Sequence, residues 1–350
     1  MTEPSSIPLL HITDLYHPPQ DPDDQLDLAT VIALEEFDLK GVVLDVTQRF
    51  LEAAPSGFDI PRDPGFIPVT QLAYLTGRTI PVATGPAQPL RYPQDDVRDQ
   101  PRREQAGIEL VLDTLQSSDK PVVVTVVGSA RVVAAAFNRD PDLVRAKTRA
   151  VVLNAGSSGG THREWNVELD PAAYEGLWRS GLPVHWYPCT TEHSPFDPEH
   201  ERSTYWKTSH RALFEHLPDA LRAWFAYGYS GSARGDILRA LTEMGRGAVW
   251  EHVEAGIRHM WSTASLVMAA GHVLARTPQG WRFIPAAKAE DLKQWPWYLD
   301  PIEATIDDEQ QVSWQVVEES QTHLFRRQSG AAFGDAMAEA LNALLRTLPV

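Results

Sequence analysis

Short apolar runs alternate with amphipathic stretches through the first half of the chain. Residues 9–13 read as a strand, 25–37 as a helix with Leu26, Ala29, Ile32 and Ala33 along one face, and 39–44 as a second apolar run. A helix at 71–75 stops at Gly77, and a third strand covers 80–83. Residues 103–116 put Ile108, Leu112 and Leu115 on one helical face, and 122–127 form a valine-rich run of the kind a parallel sheet buries on both sides. A helix at 130–137, a strand at 150–153, a helix at 171–179 between Pro171 and Gly181, and a strand at 184–187 complete the series. This spacing predicts an α/β fold with a mostly parallel, doubly wound sheet. Beyond it, 211–217, 220–227, 236–244 and 252–274 read as helices, 278–280 as the turn of a hairpin, and 334–345 as a final helix. No linker or repeat interrupts the chain. The expectation is one domain, 1–350, with an α/β core over 1–198 and a mainly helical part over 199–350 capping the sheet.

Composition narrows the function classes. With 43% hydrophobic residues in 350, the chain can bury a large core, in which the eleven tryptophans find a place. A formal net charge of -16 repels nucleic-acid phosphates, which argues against a nucleic-acid partner. No run of 18 apolar residues predicts a membrane span, and residues 1–8 lack the basic patch and apolar stretch of a secretory signal. Cys189 is the single cysteine, which fits a reducing compartment, and a cytoplasmic location is expected. It has no base nearby in sequence and reads as a packing residue. Histidines 185, 193, 200, 210 and 216 fall in one window, but without an HExxH or Cys/His pair they do not make a zinc motif. The glycine-serine run 156–160 lets backbone approach a ligand closely but carries no phosphate-loop lysine. The proline-rich stretch 55–68 reads as a long functional loop.

The candidate chemistry lies near the N-terminus. The first strand runs into Asp14, and Asp21, Asp23 and Asp24 open the next helix. Ligand sites in such sheets lie at the carboxyl ends of strands. Carboxylates crowded there repel one another unless a cation or a set of ribose hydroxyls offsets them, and their oxygens suit a hard cation such as Ca²⁺. The competing reading is a helix capped by Asp21 or Asp23, with the other carboxylates solvated. His17, in the intervening loop, reads either as an acid toward a leaving group or as a solvated side chain.

Several segments together resemble the inosine-uridine nucleoside hydrolases. They are Thr13-Asp14; Asp23-Asp24-Gln25-Leu26-Asp27-Leu28; Gly41-Val42-Val43; Pro81-Val82-Ala83-Thr84-Gly85 with Pro89-Leu90; Asp140-Pro141; and above all Glu164-Trp165-Asn166 leading to Asp170-Pro171. The resemblance spans about residues 9–189, with a weaker echo near Trp261. It implies hydrolysis of the N-glycosidic bond of a ribonucleoside or related ribosyl compound, by a water that a bound Ca²⁺ activates, in a homodimer or homotetramer. It makes Asp14 the general base and a metal ligand. It makes Asp24 and the Val127 carbonyl further ligands, and Asp23, Glu164 and Asn166 the ribose contacts. Trp261 falls where a side chain would stack on a nucleobase, with a core tryptophan as the other reading. Three departures stand out. Eight residues, 15–22, separate Asp14 from Asp23, where the family has only a few. The turn at Gly128-Ser129-Ala130-Arg131 is degenerate. Ser262 or Thr263 stands where a late metal-binding aspartate is expected, with Ser262 the candidate ligand, and a hydroxyl is a weaker ligand than a carboxylate. The missing late aspartate favours the alternative of a catalytically impaired relative that binds a ribosyl ligand or a protein partner, and the intact set of Asp14, Asp23, Asp24, Glu164 and Asn166 opposes it.

Overall fold

The computed structural model describes residues 6–18, 23–45, 63–160 and 163–350. Six strands follow the expected series: β1 (Ile7–Thr13), β2 (Phe37–Leu44), β3 (Val82–Thr84), β4 (Val122–Val126), β5 (Thr148–Leu153) and β6 (Val184–Trp186). Between them run α1 (Asp23–Ala33), α2 (Phe66–Thr76), α3 (Arg102–Ser117), α4 (Arg131–Arg139), α5 (Pro141–Lys147), α6 (Trp165–Leu169) and α7 (Pro171–Arg179). All six strands are parallel and lie in one sheet in the order β6-β5-β4-β1-β2-β3. From β1 the chain steps outward through β2 to β3, then returns to β4 on the other side of β1. The order therefore reverses between β1 and β4, the place where open α/β sheets bind ligands.

Alternation along the strands splits the core into two layers. Leu9, Val42, Leu44 and Val123 face one cluster, which takes Leu26 and Ile32 of α1, Leu72 of α2, Phe214 and Leu341. Their neighbours Leu10, Ile12, Val43, Val122 and Val124 face a second cluster, with Ile108 of α3, Val132 of α4 and Leu177 of α7. Successive side chains of a strand point to opposite faces, so unbroken apolar runs are what a sheet covered on both sides requires.

The mainly helical reading of 199–350 is corrected. Among the described residues that part holds eight strands. Three extend the main sheet beyond β6: His323–Arg327 pairs with it in parallel, and Trp297–Ile306 and Val312–Val316 add antiparallel at the edge. These edge strands are only partly buried, so they lack the apolar runs that mark β4. The stretch 252–274 is not one helix. It divides at Gly256 and at Gly271 (φ 77°) into the end of a helix, Gly247–Glu254, a strand, Ile257–Met260, a helix, Thr263–Ala269, and the strand His272–Thr277. The hairpin around Gly280 (φ 107°) is present, between His272–Thr277 and Gly280–Pro285. Of the stretch 55–68 read as a loop, residues 55–62 lie outside the described ones, and Phe66, Ile67 and Pro68 already belong to α2. Gly77 (φ 64°) ends that helix as expected. No helix among the described residues is long and apolar enough to cross a membrane.

Candidate active site

A cavity of about 370 Å³ opens at the carboxyl ends of β1, β4, β5 and β6. Its wall brings together the site residues that the resemblance implies: Asp14, Asp23, Asp24, Val127, Glu164, Asn166, Trp261 and Ser262. Asp27, Asn154 and Cys189 line it as well. Asp21 lies outside the described residues.

Asp14 follows β1 and Val127 follows β4, side by side at the reversal of strand order. The Val127 N–H donates to the Ile12 carbonyl at 2.9 Å, and the Asp45 N–H to the Thr13 carbonyl at 2.8 Å, so the sheet ladder continues into the site. Gly128 permits this proximity. A Cβ there would stand 3.0 Å from the Asp14 nitrogen and 3.2 Å from Asp45 Oδ2. Asp23 and Asp24 occupy the first turn of α1, where the positive end of the helix favours carboxylates. Thr13 Oγ1 donates to Asp24 Oδ1 at 2.9 Å and accepts from the Leu15 N–H at 3.1 Å, which ties the end of β1 to the start of α1. Asp27 lies three residues past Asp24, on the same face of the helix. The Ser262 hydroxyl donates to Asp27 Oδ2.

Glu164 is buried and caps α6. One oxygen accepts the Gly156 N–H at 2.8 Å and the other the Asn166 N–H at 3.0 Å. Burial pushes its carboxyl up to about 7, and the backbone N–H groups pull against that shift. Asn166 donates through Nδ2 to the Asn154 carbonyl at 2.9 Å and the Val127 carbonyl at 3.3 Å, so the ends of β4 and β5 meet on one amide. Asn154 is 1% exposed. Its Nδ2 donates to Ser265 Oγ at 2.8 Å, while its Oδ1 has no hydrogen-bond partner among the described residues. Cys189 is buried amid Glu164, Asp23, Asp27 and Asp14. Desolvation first, and then these carboxylates, push its thiol well above its ordinary value, so it stays protonated.

The donors therefore suit a hard cation. They are carboxylate, amide and carbonyl oxygens, with no thiolate among them. Among the described residues no three His, Cys, Asp or Glu side chains converge closely enough to hold an ion by themselves. An ion seated here would also draw on neutral oxygens. The Val127 carbonyl and the unpartnered Asn154 Oδ1, buried in the cavity wall, fit that need.

Two further expectations meet the structure. His17 is neither solvated nor part of the cavity wall. It is buried, stacks on Tyr227 with ring centroids 4.7 Å apart, and donates through Nε2 to the Ser232 carbonyl at 2.7 Å. Burial lowers its pKa, which keeps it neutral. The degenerate turn after β4 is held by Arg131, which is 0% exposed. Its Nε donates to Asp170 Oδ2 at 2.8 Å, one terminal nitrogen to the Pro86 carbonyl at 2.6 Å and the other to the Leu169 carbonyl at 3.1 Å. Trp261 stands at the cavity beside Phe196, which is 54% exposed, with ring centroids 5.7 Å apart, and its Nε1 donates to the Pro195 carbonyl at 2.9 Å. Sequence reasoning gave Asp27 and Asn154 no role. The available signals were the spacing of Asp27 from Asp24 along one helix and the place of Asn154 just after a buried strand.

The inosine-uridine preferring nucleoside hydrolase family matches residues 64–251, more than half of the sequence. The chain belongs to this family. The matched stretch contains Val127, Glu164 and Asn166, and Asp14, Asp23 and Asp24 precede it. Pyrimidine-specific ribonucleoside hydrolase RihA of Citrobacter koseri is 28% identical over 199 residues, 51% of this chain and 59% of that protein. RihA of Enterobacter sp. (strain 638) is 30% identical over 182 residues, 46% and 55% of the two chains. The chain thus spans less than two thirds of the length of the curated relatives it matches. The fold is that of a purine-preferring ribonucleoside hydrolase from Gardnerella vaginalis, with TM-score 0.55 at 13% identity over 97% of this chain and 99% of that one. The type III effector protein XopQ, solved with adenosine diphosphate ribose, gives TM-score 0.51 at 14% identity over 100% and 94%.

Proposed function

We propose that this chain hydrolyses the N-glycosidic bond of a ribonucleoside or a related ribosyl compound. The observation that carries this reading is the meeting of Asp14, Asp23, Asp24, Glu164, Asn166 and Trp261 around one cavity at the reversal of strand order. Asp14 is the general base that takes a proton from the attacking water. Asp23, Glu164 and Asn166 hold the sugar hydroxyls and fix the anomeric carbon in front of that water. The transition state carries positive charge on the sugar, and the carboxylates around the cavity offset it. Trp261 offers a ring face to the departing base. Asp14, Asp24 and the Val127 carbonyl would hold a hard divalent cation, Ca²⁺ by the chemistry of the donors, which when bound lowers the pKa of water. The substrate is a small nucleoside, and the working form is a cytoplasmic homodimer or homotetramer.

One observation favours a second reading, a protein that binds a ribosyl ligand without turning it over. Position 262 carries a hydroxyl, and that hydroxyl is engaged with Asp27. A panel of purine and pyrimidine ribonucleosides assayed for free ribose decides between the two. Wild-type protein should release ribose, and Asp14→Asn should lower the rate by about 10²–10⁴-fold. Asn166→Ala should leave measurable turnover, because it removes a positioning group and not the proton acceptor. Absence of release from every nucleoside, in wild type and in Ser262→Asp, refutes the hydrolase reading and leaves the binding protein.

A further inference from the structure

Tyr16 lines the cavity and comes from the connection that also delivers Asp14 and Asp23. It is 4% exposed, against 54% for Phe196, so it belongs to the deep, carboxylate-bearing side of the space. Its two neighbours in the chain do not line the cavity, and both are fastened behind it. Leu15 is buried in the core layer that takes α1 and α2. Its main chain lies against the start of α2, where a Cβ on Gly65 (φ 97°) would stand 2.3 Å from the Leu15 carbonyl oxygen. His17 exchanges two main-chain hydrogen bonds with Asp63, at 2.8 and 2.9 Å. Asp63 is held in turn, its Oδ2 accepting the Gly65 N–H at 3.0 Å and the Ile67 N–H at 2.8 Å. The His17 ring is gripped separately, by the stack on Tyr227 and the hydrogen bond to the Ser232 carbonyl. Tyr16 therefore stands on a backbone fixed on both sides, and its side chain belongs both to the core layer and to the cavity wall. A side chain held this way meets a ligand with little rotamer freedom left to lose. The chemistry proposed above uses neither Tyr16 nor His17.

We infer that Tyr16 is a wall of the sugar end of the cavity, against which the ribosyl ring packs, and that His17 is the residue that positions it. A pentose carries hydroxyls around its rim and C–H groups on its faces. Carboxylates and amides suit the rim, and an aromatic side chain suits a face, the usual division in small-molecule sites between a few polar groups and an apolar wall. Tyr16 shares its connection with Asp14 and Asp23, whereas Phe196 and Trp261 stand together on other segments. It therefore meets the sugar and leaves the base to them. This inference rests on the proposed function for the place of the sugar, and it concerns binding rather than proton transfer.

Calorimetric titration of the full-length chain with D-ribose, and of its Asp14→Asn form with inosine and uridine, tests it. Tyr16→Leu, which keeps apolar bulk and removes the ring, should weaken all three ligands by about 3–10-fold, and by one common factor. Tyr16→Phe keeps the ring and should stay within about twofold of the parent. His17→Ala should weaken binding where Tyr16 is present and add little to Tyr16→Leu, a non-additivity that two independent packing defects would not give. Melting curves identify any variant that fails to fold. If Tyr16→Leu is one of these, His17→Ala, which leaves the ring in the chain, carries the same comparison across the three ligands. Unchanged affinity in the folded variant overturns the inference. So do factors that differ between inosine and uridine, which would put Tyr16 at the base, and so do additive effects at the two positions. Wild type that binds none of the three ligands at millimolar concentration overturns it as well. Ribose release with kcat/KM unchanged in Tyr16→Leu sinks this inference and leaves the hydrolase reading. Ligand binding that depends on Tyr16, in a protein that releases no ribose, sinks the hydrolase reading and leaves this inference standing.

Discussion

Glu164→Gln should change how stability depends on pH. Both oxygens of Glu164 accept main-chain N–H groups, and the side chain is buried at the cap of α6. Burial raises its carboxyl from 4.5 to about 7. Between those two values the folded protein holds a proton that the unfolded chain has released. Folding stability therefore falls as pH rises through the window, and the full cost of burying the charge is present above pH 7. At about 1.4 kcal/mol per pH unit, that cost is roughly 3 kcal/mol. Glutamine stays neutral throughout. It also turns an N–H toward one of the main-chain donors, which lowers stability by an amount that does not vary with pH. The stability gap between wild type and Glu164→Gln should thus shift in the variant's favour by roughly 3 kcal/mol from pH 4.5 to pH 7. Urea unfolding followed by tryptophan fluorescence, in EDTA at half-unit intervals of pH, measures the gap directly. Parallel curves for the two proteins, with the gap constant to within about 1 kcal/mol, would refute the reasoning, since the burial of Glu164 would then carry no ionisation cost.

The same measurement applies on the acid side to His11, which lies on β1 opposite Thr125 of β4 with Nδ1 2.9 Å from Thr125 Oγ1. Burial lowers its pKa from 6.5 to about 3, so its contribution is complete above 6.5 and is lost as pH falls toward 3. His11→Gln should flatten the acid limb of the stability curve over that range, and an unaltered limb would count against a buried neutral imidazole. Gly128→Ala places a Cβ 3.0 Å from the Asp14 nitrogen and 3.2 Å from Asp45 Oδ2, so Asp14 and Asp45 must give by a few tenths of an ångström. It should lower ribose release by at least about tenfold while shifting the melting midpoint little, because the displaced group is the proposed general base. Wild-type turnover in Gly128→Ala would show that the distance between β1 and β4 does not govern the chemistry.

Much of the sheet and of the site was legible before any coordinates. Strand β4 is buried throughout, and β1, β2 and β5 are buried from Pro8, Gly41 and Ala150 onward, and burial on both faces writes itself as a largely apolar run. The site residues sit just past strand ends or on the first turn of a helix, where local pattern fixes their position: Asp14 after β1, Asp23 and Asp24 at the start of α1, Glu164 at the cap of α6. The edge strands near the C-terminus were not legible. Trp297–Ile306 is half exposed, and its mixed burial does not distinguish it in sequence from a loop or an amphipathic helix. Nor was the pairing of Asp27 with Ser262, the fastening of the turn after β4 by Arg131 on Asp170, or the hydrogen bond of Asn154 to Ser265. Each of these joins residues far apart in the chain. A side chain's neighbours along the chain set its backbone conformation and the face it occupies. Its partner across 235 residues is set only when the helix after Trp261 packs against α1.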